Sequence, residues 1–190
     1  GALNIAHEAV DRHALGPRAE HVAIHWLGAE GGEQRFTYRE LQRLCNRFAN
    51  TLGALGLQRG DTLFVLMPRL PQLYAAVLGG LKAGLVVCPL FSAFGPEPIA
   101  TRLALGGARA LVTTTSLYRR KVQAMRAQAP TLQQVLLVND DASPLPDATN
   151  DLDALMLAAS DAFDTVPTRR DDPALLHFTS GTTGRPKGAL

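Results

Sequence analysis

From Phe36 onward the chain alternates segments of helical periodicity with short apolar runs. Such alternation restricts it to an α/β fold of βαβ units, with a mainly parallel sheet flanked by helices. The first helix is the most strongly specified. The Thr37 hydroxyl can accept from the Glu40 amide while the Glu40 carboxylate reaches back to the Thr37 amide, and Phe36 can pack against Leu41 outside this reciprocal cap. Leu41, Leu44, Phe48, Leu52 and Leu55 then recur at spacings of three and four, which places them on one face, and Gly56 closes the helix.

Residues 61–67 hold a continuous apolar run suited to a strand buried on both faces, and Pro68 ends it. A helix is expected over residues 71–81, a strand over 85–90 after the Gly84 turn, and a helix from Pro96 to about Leu105. Pro96 and Pro98 fit its first turn, where a missing amide proton loses no helical bond. Residues 110–114 are strand-like, Ser116 is placed to cap a helix through about Gln128, and residues 134–138 are strand-like again. Residues 139–150, rich in turn formers, read as a surface loop. Residues 174–178 form the last apolar run before a glycine-rich stretch.

With 190 residues and 46% hydrophobic content the chain can bury one substantial core, which argues against disorder. A net charge of +2 with 19% charged residues shows no polyanion-binding character, so no nucleic-acid partner is expected. Cys45 and Cys88 stand in apolar segments with no partner at redox or metal-ligand spacing, which favours free buried thiols in a reducing compartment. The first residues carry no basic, apolar leader pattern, and no uncharged apolar run is long enough to span a membrane. A cytoplasmic protein is the expectation.

Thr179-Ser180-Gly181-Thr182-Thr183-Gly184-Arg185-Pro186-Lys187-Gly188 places three glycines, four hydroxyls and two cations in ten positions after an apolar strand. Glycine lets backbone amides approach an anion closely, successive N–H groups form an anion-binding concavity, and hydroxyls add donors. Lys187 supplies a point charge for outer phosphates, and Pro186 restricts the flexing of the loop. A nucleoside-triphosphatase P-loop would need a glycine immediately before the lysine and a hydroxyl after it. Here Pro186 precedes Lys187 and Gly188 follows it, so that reading is set aside.

The string TSGTTGRPKG closely resembles the phosphate-loop motif of the adenylate-forming superfamily, which includes acyl- and aryl-CoA synthetases, luciferases and nonribosomal peptide synthetase adenylation domains. The resemblance implies that Thr179, Ser180, Gly181, Thr182, Thr183, Gly184 and Lys187 hold the β- and γ-phosphates of ATP and then the departing pyrophosphate. It implies an acyl-adenylate made from a small carboxylic acid, with Mg²⁺ and this loop offsetting the developing charge, and displacement of AMP by coenzyme A. In that family the loop joins two strands, so residues 188–190 should begin the next one. The fold is expected to resemble the N-terminal subdomain of adenylate-forming enzymes. Residues 1–36 would form a helix and extended segment, and residues 37–190 an α/β subdomain ending in the phosphate loop.

Asn4-Ile5-Ala6, Asp11-Arg12-His13 and Pro89-Leu90-Phe91-Ser92-Ala93-Phe94-Gly95-Pro96-Glu97 are similar to the acetyl-CoA synthetase branch and its short- to medium-chain relatives. Thr37 to Leu41, Gly60-Asp61 and Met67-Pro68 extend the likeness over nearly the whole chain. By that resemblance Phe91-Ser92-Ala93 lies against the coenzyme A nucleotide and Arg119 contacts its phosphates, although Ser92 and Ala93 replace the usual glycines. Arg119, Arg120 and Lys121 also read as an ordinary solvated helix face.

His21 and His25 have the spacing of helical metal ligands, but Val22-Ala23-Ile24 and Trp26-Leu27 look extended and no further ligand stands nearby, so no metal site is expected. His177 can shape the nucleotide site or serve as a hydrogen-bonded structural residue, and Trp26 is read as core. No G-x-S-x-G elbow suggests a hydrolase. The resemblance puts the aromatic-Thr-Glu motif, the ribose-binding aspartate and the adenylation lysine beyond Leu190. This chain is therefore expected to be part of a longer protein and inactive alone. An assembly-line adenylation module acting on a carrier protein, a non-catalytic interaction module and a homo-oligomer all stay open.

Overall fold

Helices and strands alternate as the apolar periodicities require, in a computed structural model that describes residues 3–29, 31–180 and 186–190. A π-helical turn, His7–Asp11, runs into the short α1 (Arg12–Ala14), and a hairpin of β1 (Val22–Leu27) and β2 (Glu33–Thr37) leads to α2 (Tyr38–Ala54). Next come β3 (Thr62–Leu66), α3 (Pro71–Lys82), β4 (Val86–Pro89), α4 (Pro96–Leu105), β5 (Ala108–Thr114) and α5 (Thr115–Lys121). A 3₁₀ helix, Gln123–Gln128, precedes β6 (Gln134–Val138), β7 (Asn150–Asp151), α6 (Leu152–Ala158), β8 (His177–Ser180) and β9 (Pro186–Ala189).

The central sheet has the order β4-β3-β5-β6-β7 with every pairing parallel. Its central strands β3, β5 and β6 are mainly apolar because both faces are covered. Leu63, Val65, Val87, Ala110, Val112, Leu136 and Val138 join one cluster with Phe48 and Leu52 of α2, Ala76 of α3 and Leu152 of α6. Phe64, Leu66, Cys88, Leu111, Val135 and Leu137 join the opposite cluster with Ile99 and Leu103 of α4 and Tyr118 of α5. Each fully buried Leu, Val or Phe contributes about 1.5–3 kcal/mol relative to exposure. The winding reverses between β3 and β5, which makes a topological switch point there.

The α2 cap forms as expected, with Thr37 Oγ1 accepting from the Glu40 amide at 3.2 Å and Glu40 Oε2 accepting from the Thr37 amide at 2.8 Å. Four expectations need correction. Thr114, not Ser116, caps α5, accepting from the Leu117 amide at 3.3 Å. Thr114 ends the strand with extended backbone, φ −97° and ψ 159°, as an N-cap requires, whereas Ser116 already lies inside the helix. The α-helix stops at Lys121 and only a 3₁₀ helix continues to Gln128. The loop assigned to residues 139–150 ends in β7, and Asp151 caps α6 by accepting from the Ala154 amide at 2.9 Å. Trp26 is half-buried outside the core. A Cβ on Gly28 would approach its ring to 2.7 Å, and its indole donates to the Arg69 carbonyl at 2.6 Å.

Cys45 and Cys88 are free, buried in separate clusters, and burial pushes both thiols up to about 12. Among the described residues no helix is long and apolar enough to cross a membrane.

The N-terminal segment is fastened by a buried ion pair. Lys82 of α3 meets the Asp11 carboxylate, which also accepts from Thr165 Oγ1 at 2.6 Å and Gln42 Nε2 at 3.0 Å. Asn4 Nδ2 donates to the carbonyls of Leu81 and Val166, each at 2.9 Å. Burial alone would raise the Asp11 pKa, but the hydrogen bonds from Lys82, Thr165 and Gln42, with the ammonium charge, hold it below the usual carboxylate range. Stability from this group is therefore complete above the unfolded aspartate value of about 4 and lost as pH falls through the lower folded value. Asp11→Ala strands the Lys82 charge and should destabilise the protein by about 3–5 kcal/mol, whereas Asp11→Ala with Lys82→Met should recover much of that loss. Urea unfolding of the three proteins decides it, and a double variant no more stable than Asp11→Ala would refute the account.

Candidate functional site

The glycine-rich stretch is carried by an antiparallel hairpin at the edge of the sheet. The Val87 amide donates to the Ala174 carbonyl and the Leu176 amide donates to the Val87 carbonyl, both at 2.9 Å, so the chain approaches β8 running parallel to β4. β8 and β9 pair with His177 opposite Ala189, Phe178 opposite Gly188, Thr179 opposite Lys187 and Ser180 opposite Pro186. The strand expected after the loop is thus β9. Gly181, Thr182, Thr183, Gly184 and Arg185, which include four of the predicted phosphate ligands, lie outside the described residues.

Because side chains alternate across a strand, the hairpin has two different faces. His177, Thr179 and Lys187 share the exposed one, and the directly opposed Thr179 and Lys187 place a hydroxyl beside an ammonium group. These are donors suited to phosphate oxygens. Phe178 turns the other way and packs against the cluster containing Phe64 and Leu176. Gly188 permits this close packing, since a Cβ there would sit 3.1 Å from Leu176 Cδ1. That inner face borders an open, mainly apolar cavity of about 520 Å³, lined by Leu105, Gly106, Leu176, Phe178, Pro186 and Gly188. Such a lining suits no polyanion.

The turn 91–95 between β4 and α4 is clipped to the rest of the molecule twice. Lys121 Nζ donates to the carbonyls of Ser92 at 2.6 Å and Phe94 at 2.7 Å. Arg102 of α4 is 9% exposed, with its Cζ 4.3 Å from the Phe94 ring centroid and 5.9 Å from that of Phe178. Its Nη1 donates to the Pro98 carbonyl at 2.9 Å, while its buried Nε has no hydrogen-bond partner among the described residues.

The cationic run 119–121 divides. Arg119 is exposed, donates to the Pro144 carbonyl at 2.5 Å and stands 4.0 Å from Asp141. Hydrogen bonds from the Ser143 hydroxyl and amide, then the Arg119 charge, hold the Asp141 carboxyl below its usual range. Arg120 bonds back to the Ser116 carbonyl of its own helix at 3.2 Å. Lys121 turns inward. Its spacing of three and four from the buried Tyr118 and Leu117 was the available signal for that orientation, while nothing in local pattern marked Arg102. His25 pairs with Glu33 across the β1–β2 hairpin at 2.8 Å, and His21 precedes β1, so the two do not share a helix face. Among the described residues no three His, Cys, Asp or Glu side chains converge.

The sequence profile described as AMP-binding enzyme matches residues 10–190. The chain belongs to that family. It is 37% identical to an acetyl-coenzyme A synthetase of Bacillus subtilis (strain 168), covering 100% of this chain and 32% of that protein. It is 33% identical to human mitochondrial acyl-coenzyme A synthetase ACSM5, covering 97% and 32%. It therefore spans about a third of the length of these curated relatives. The crystal structure of a Brucella canis acyl-CoA synthetase superimposes with a TM-score of 0.87 at 30% identity, covering 99% of this chain and 33% of that one. The anthranilate CoA ligase AuaEII in complex with anthranoyl-AMP shares the fold, with a TM-score of 0.85 at 20% identity over 98% of this chain and 34% of that one.

Lys121→Met removes two charge-assisted hydrogen bonds from the turn 91–95, each worth about 1.5–3 kcal/mol. Opening of that turn should become at least about tenfold more frequent, since each 1.4 kcal/mol is a factor of ten. Limited chymotrypsin digestion, read by mass spectrometry at Phe91 and Phe94, measures it. Cleavage at the wild-type rate would show that Lys121 does not hold the turn.

Proposed function

We propose that the protein containing this chain is an ATP-dependent acid–thiol ligase that converts a carboxylic acid to an acyl-adenylate with release of pyrophosphate, and then to a coenzyme A thioester. The observation that carries the reading is the pairing of Thr179 with Lys187 on the exposed face of β8 and β9, flanking a glycine- and hydroxyl-rich connection. Family membership and acetyl- and acyl-coenzyme A synthetase relatives support it.

Thr179, Ser180, Gly181, Thr182, Thr183, Gly184 and Lys187 would hold the outer phosphates. Thr179 and Lys187 fit this role, because the Lys187 ammonium and Thr179 hydroxyl are exposed donors on one surface. A carboxylate is a poor acyl donor, so these groups act by stabilising the negative charge that grows on the pyrophosphate as the acid attacks the α-phosphorus. Mg²⁺ bound with the triphosphate would supply further charge neutralisation. Residues 37–190 would be the phosphate-binding α/β part of a larger nucleotide-binding domain, and without the remainder this part alone is inactive. The acetyl-coenzyme A synthetase likeness favours acetate or another short- to medium-chain acid as substrate. The buried, separate thiols of Cys45 and Cys88 suit a reducing compartment such as the cytoplasm.

Arg119 would contact a coenzyme A phosphate. Lys121 brings the end of α5 that carries Arg119 against the turn containing Ser92, and the exposed guanidinium keeps donors beyond its bond to Pro144.

Lys187→Ala in the intact gene product should lower acid-dependent ATP–pyrophosphate exchange about 100-fold or more, the usual effect of losing one group that stabilises developing charge. Exchange at the wild-type rate would overturn the phosphate-loop reading. Arg119→Ala should leave exchange intact and raise the coenzyme A KM about tenfold, the equivalent of one charged contact. An unchanged KM would remove Arg119 from the site.

A further inference from the structure

We propose that Arg102 is a positioning residue of the phosphate hairpin: its guanidinium, lying against the rings of Phe94 and Phe178, sets the orientation of β8 and so of Thr179 and Lys187. The inference rests on the ligase reading above and adds to it a residue that touches no substrate.

Arg102 occupies the last turn of α4, buried among apolar side chains. One donor is used on the carbonyl of Pro98 within its own helix, and Nε is buried with no partner among the described residues. A methionine or leucine would fill this volume without stranding a donor, so filling space does not account for a guanidinium here. What Arg102 offers that an aliphatic chain lacks is a rigid charged plane attracted to aromatic faces. Two rings receive it, Phe94 at 4.3 Å and Phe178 at 5.9 Å.

Those rings belong to segments far apart in the chain. Phe94 lies in the turn after β4, which Lys121 holds through the Ser92 and Phe94 carbonyls. Phe178 lies in β8, with the Phe64 ring of β3 6.4 Å away. Phe178 is therefore placed by Phe64 of the sheet and by Arg102 of α4. The next residue, Thr179, projects to the opposite face, and its ladder partner is Lys187. A rotation of β8 that displaced Phe178 would carry Thr179 and Lys187 with it, and misplacement of such groups by an ångström can cost about 100-fold in rate.

The test uses the intact gene product in ATP–pyrophosphate exchange, with a panel of acids from acetate upward. This assay needs no coenzyme A, so effects at the turn 91–95 on thiol binding do not enter. Arg102→Lys, Arg102→Met and Phe178→Leu should each raise the KM for ATP about tenfold while leaving the KM for the acid unchanged. Arg102→Met combined with Phe178→Leu should fall short of the product of the two single effects, because the two substitutions share the Arg102–Phe178 contact. A merely structural role would reduce only the amount of folded enzyme, leaving both the rate per folded molecule and the ATP KM at their wild-type values, and that result would overturn the proposal. Should Arg102→Met fail to fold, Arg102→Lys decides, since a wild-type ATP KM there would mean that charge suffices without the plane. A wild-type protein inactive with every acid would overturn the ligase reading and this inference with it, whereas an active wild type with unaffected variants would overturn only the role of Arg102.

Discussion

Burial of β3 and β5 on both faces is the constraint from which the position of the hairpin follows. Leu63 and Val65 need cover on one side, Phe64 and Leu66 on the other, and only helices on both faces of a parallel ladder supply it. Covering both faces sends α3 across one side and α4 across the other, so β4 and β5 flank β3 and β4 becomes an edge. An open edge exposes unpaired backbone groups. Here the Val87 amide and carbonyl are both taken by the segment ending at Leu176, and that contact delivers the chain to β8 in a fixed direction.

The hairpin then works by separating its faces. Phe178 and Gly188 anchor one side to the Phe64 cluster, leaving Thr179 and Lys187 together on the other. A single strand could not hold two such residues side by side with comparable stiffness, because only a cross-strand partner fixes the separation of their Cα atoms. Gly188 has a steric part in this as well as any part in anion binding, since its missing side chain lets β9 lie against Leu176.

Elements were legible where independent local signals agreed. α2 combined a reciprocal cap, one apolar face and a closing glycine, and β3 to β6 were continuous apolar runs bounded by turn formers. The bounds of α5 are not legible in the sequence, because its cap belongs to the last strand residue, Thr114, and its helical pattern decays into a 3₁₀ helix without a glycine or proline to mark the change. β7 and α6, with only two and seven residues, give a weak pattern, although Asp151 followed by Leu152, Leu155 and Met156 carries a cap and a helical spacing. At the site, Thr179 and Lys187 could be named from the motif, but their opposition across a ladder is a product of folding. Trp26 went to a hairpin rather than the core because Gly28 and Gly32 left room for its ring there.

The cations show most clearly where sequence reading stops. Lys82, Lys121 and Arg102 all leave bulk water to some degree, and each does so against partners distant in the chain. Lys82 finds the Asp11 carboxylate 71 positions away, and Lys121 finds two carbonyls 29 and 27 positions away. Both are answered by oxygen acceptors, so each can be understood as a clip between segments. Arg102 differs. Its Nε finds no acceptor among the described residues, and its compensation is aromatic, from one ring in the turn after β4 and another in the hairpin that carries Thr179. A buried group whose local energetics are poor persists when something other than packing retains it, and the surroundings of Arg102 lead into the hairpin that carries Thr179 and Lys187. That contrast among three cations drawn away from water, rather than any motif, is what singles out Arg102.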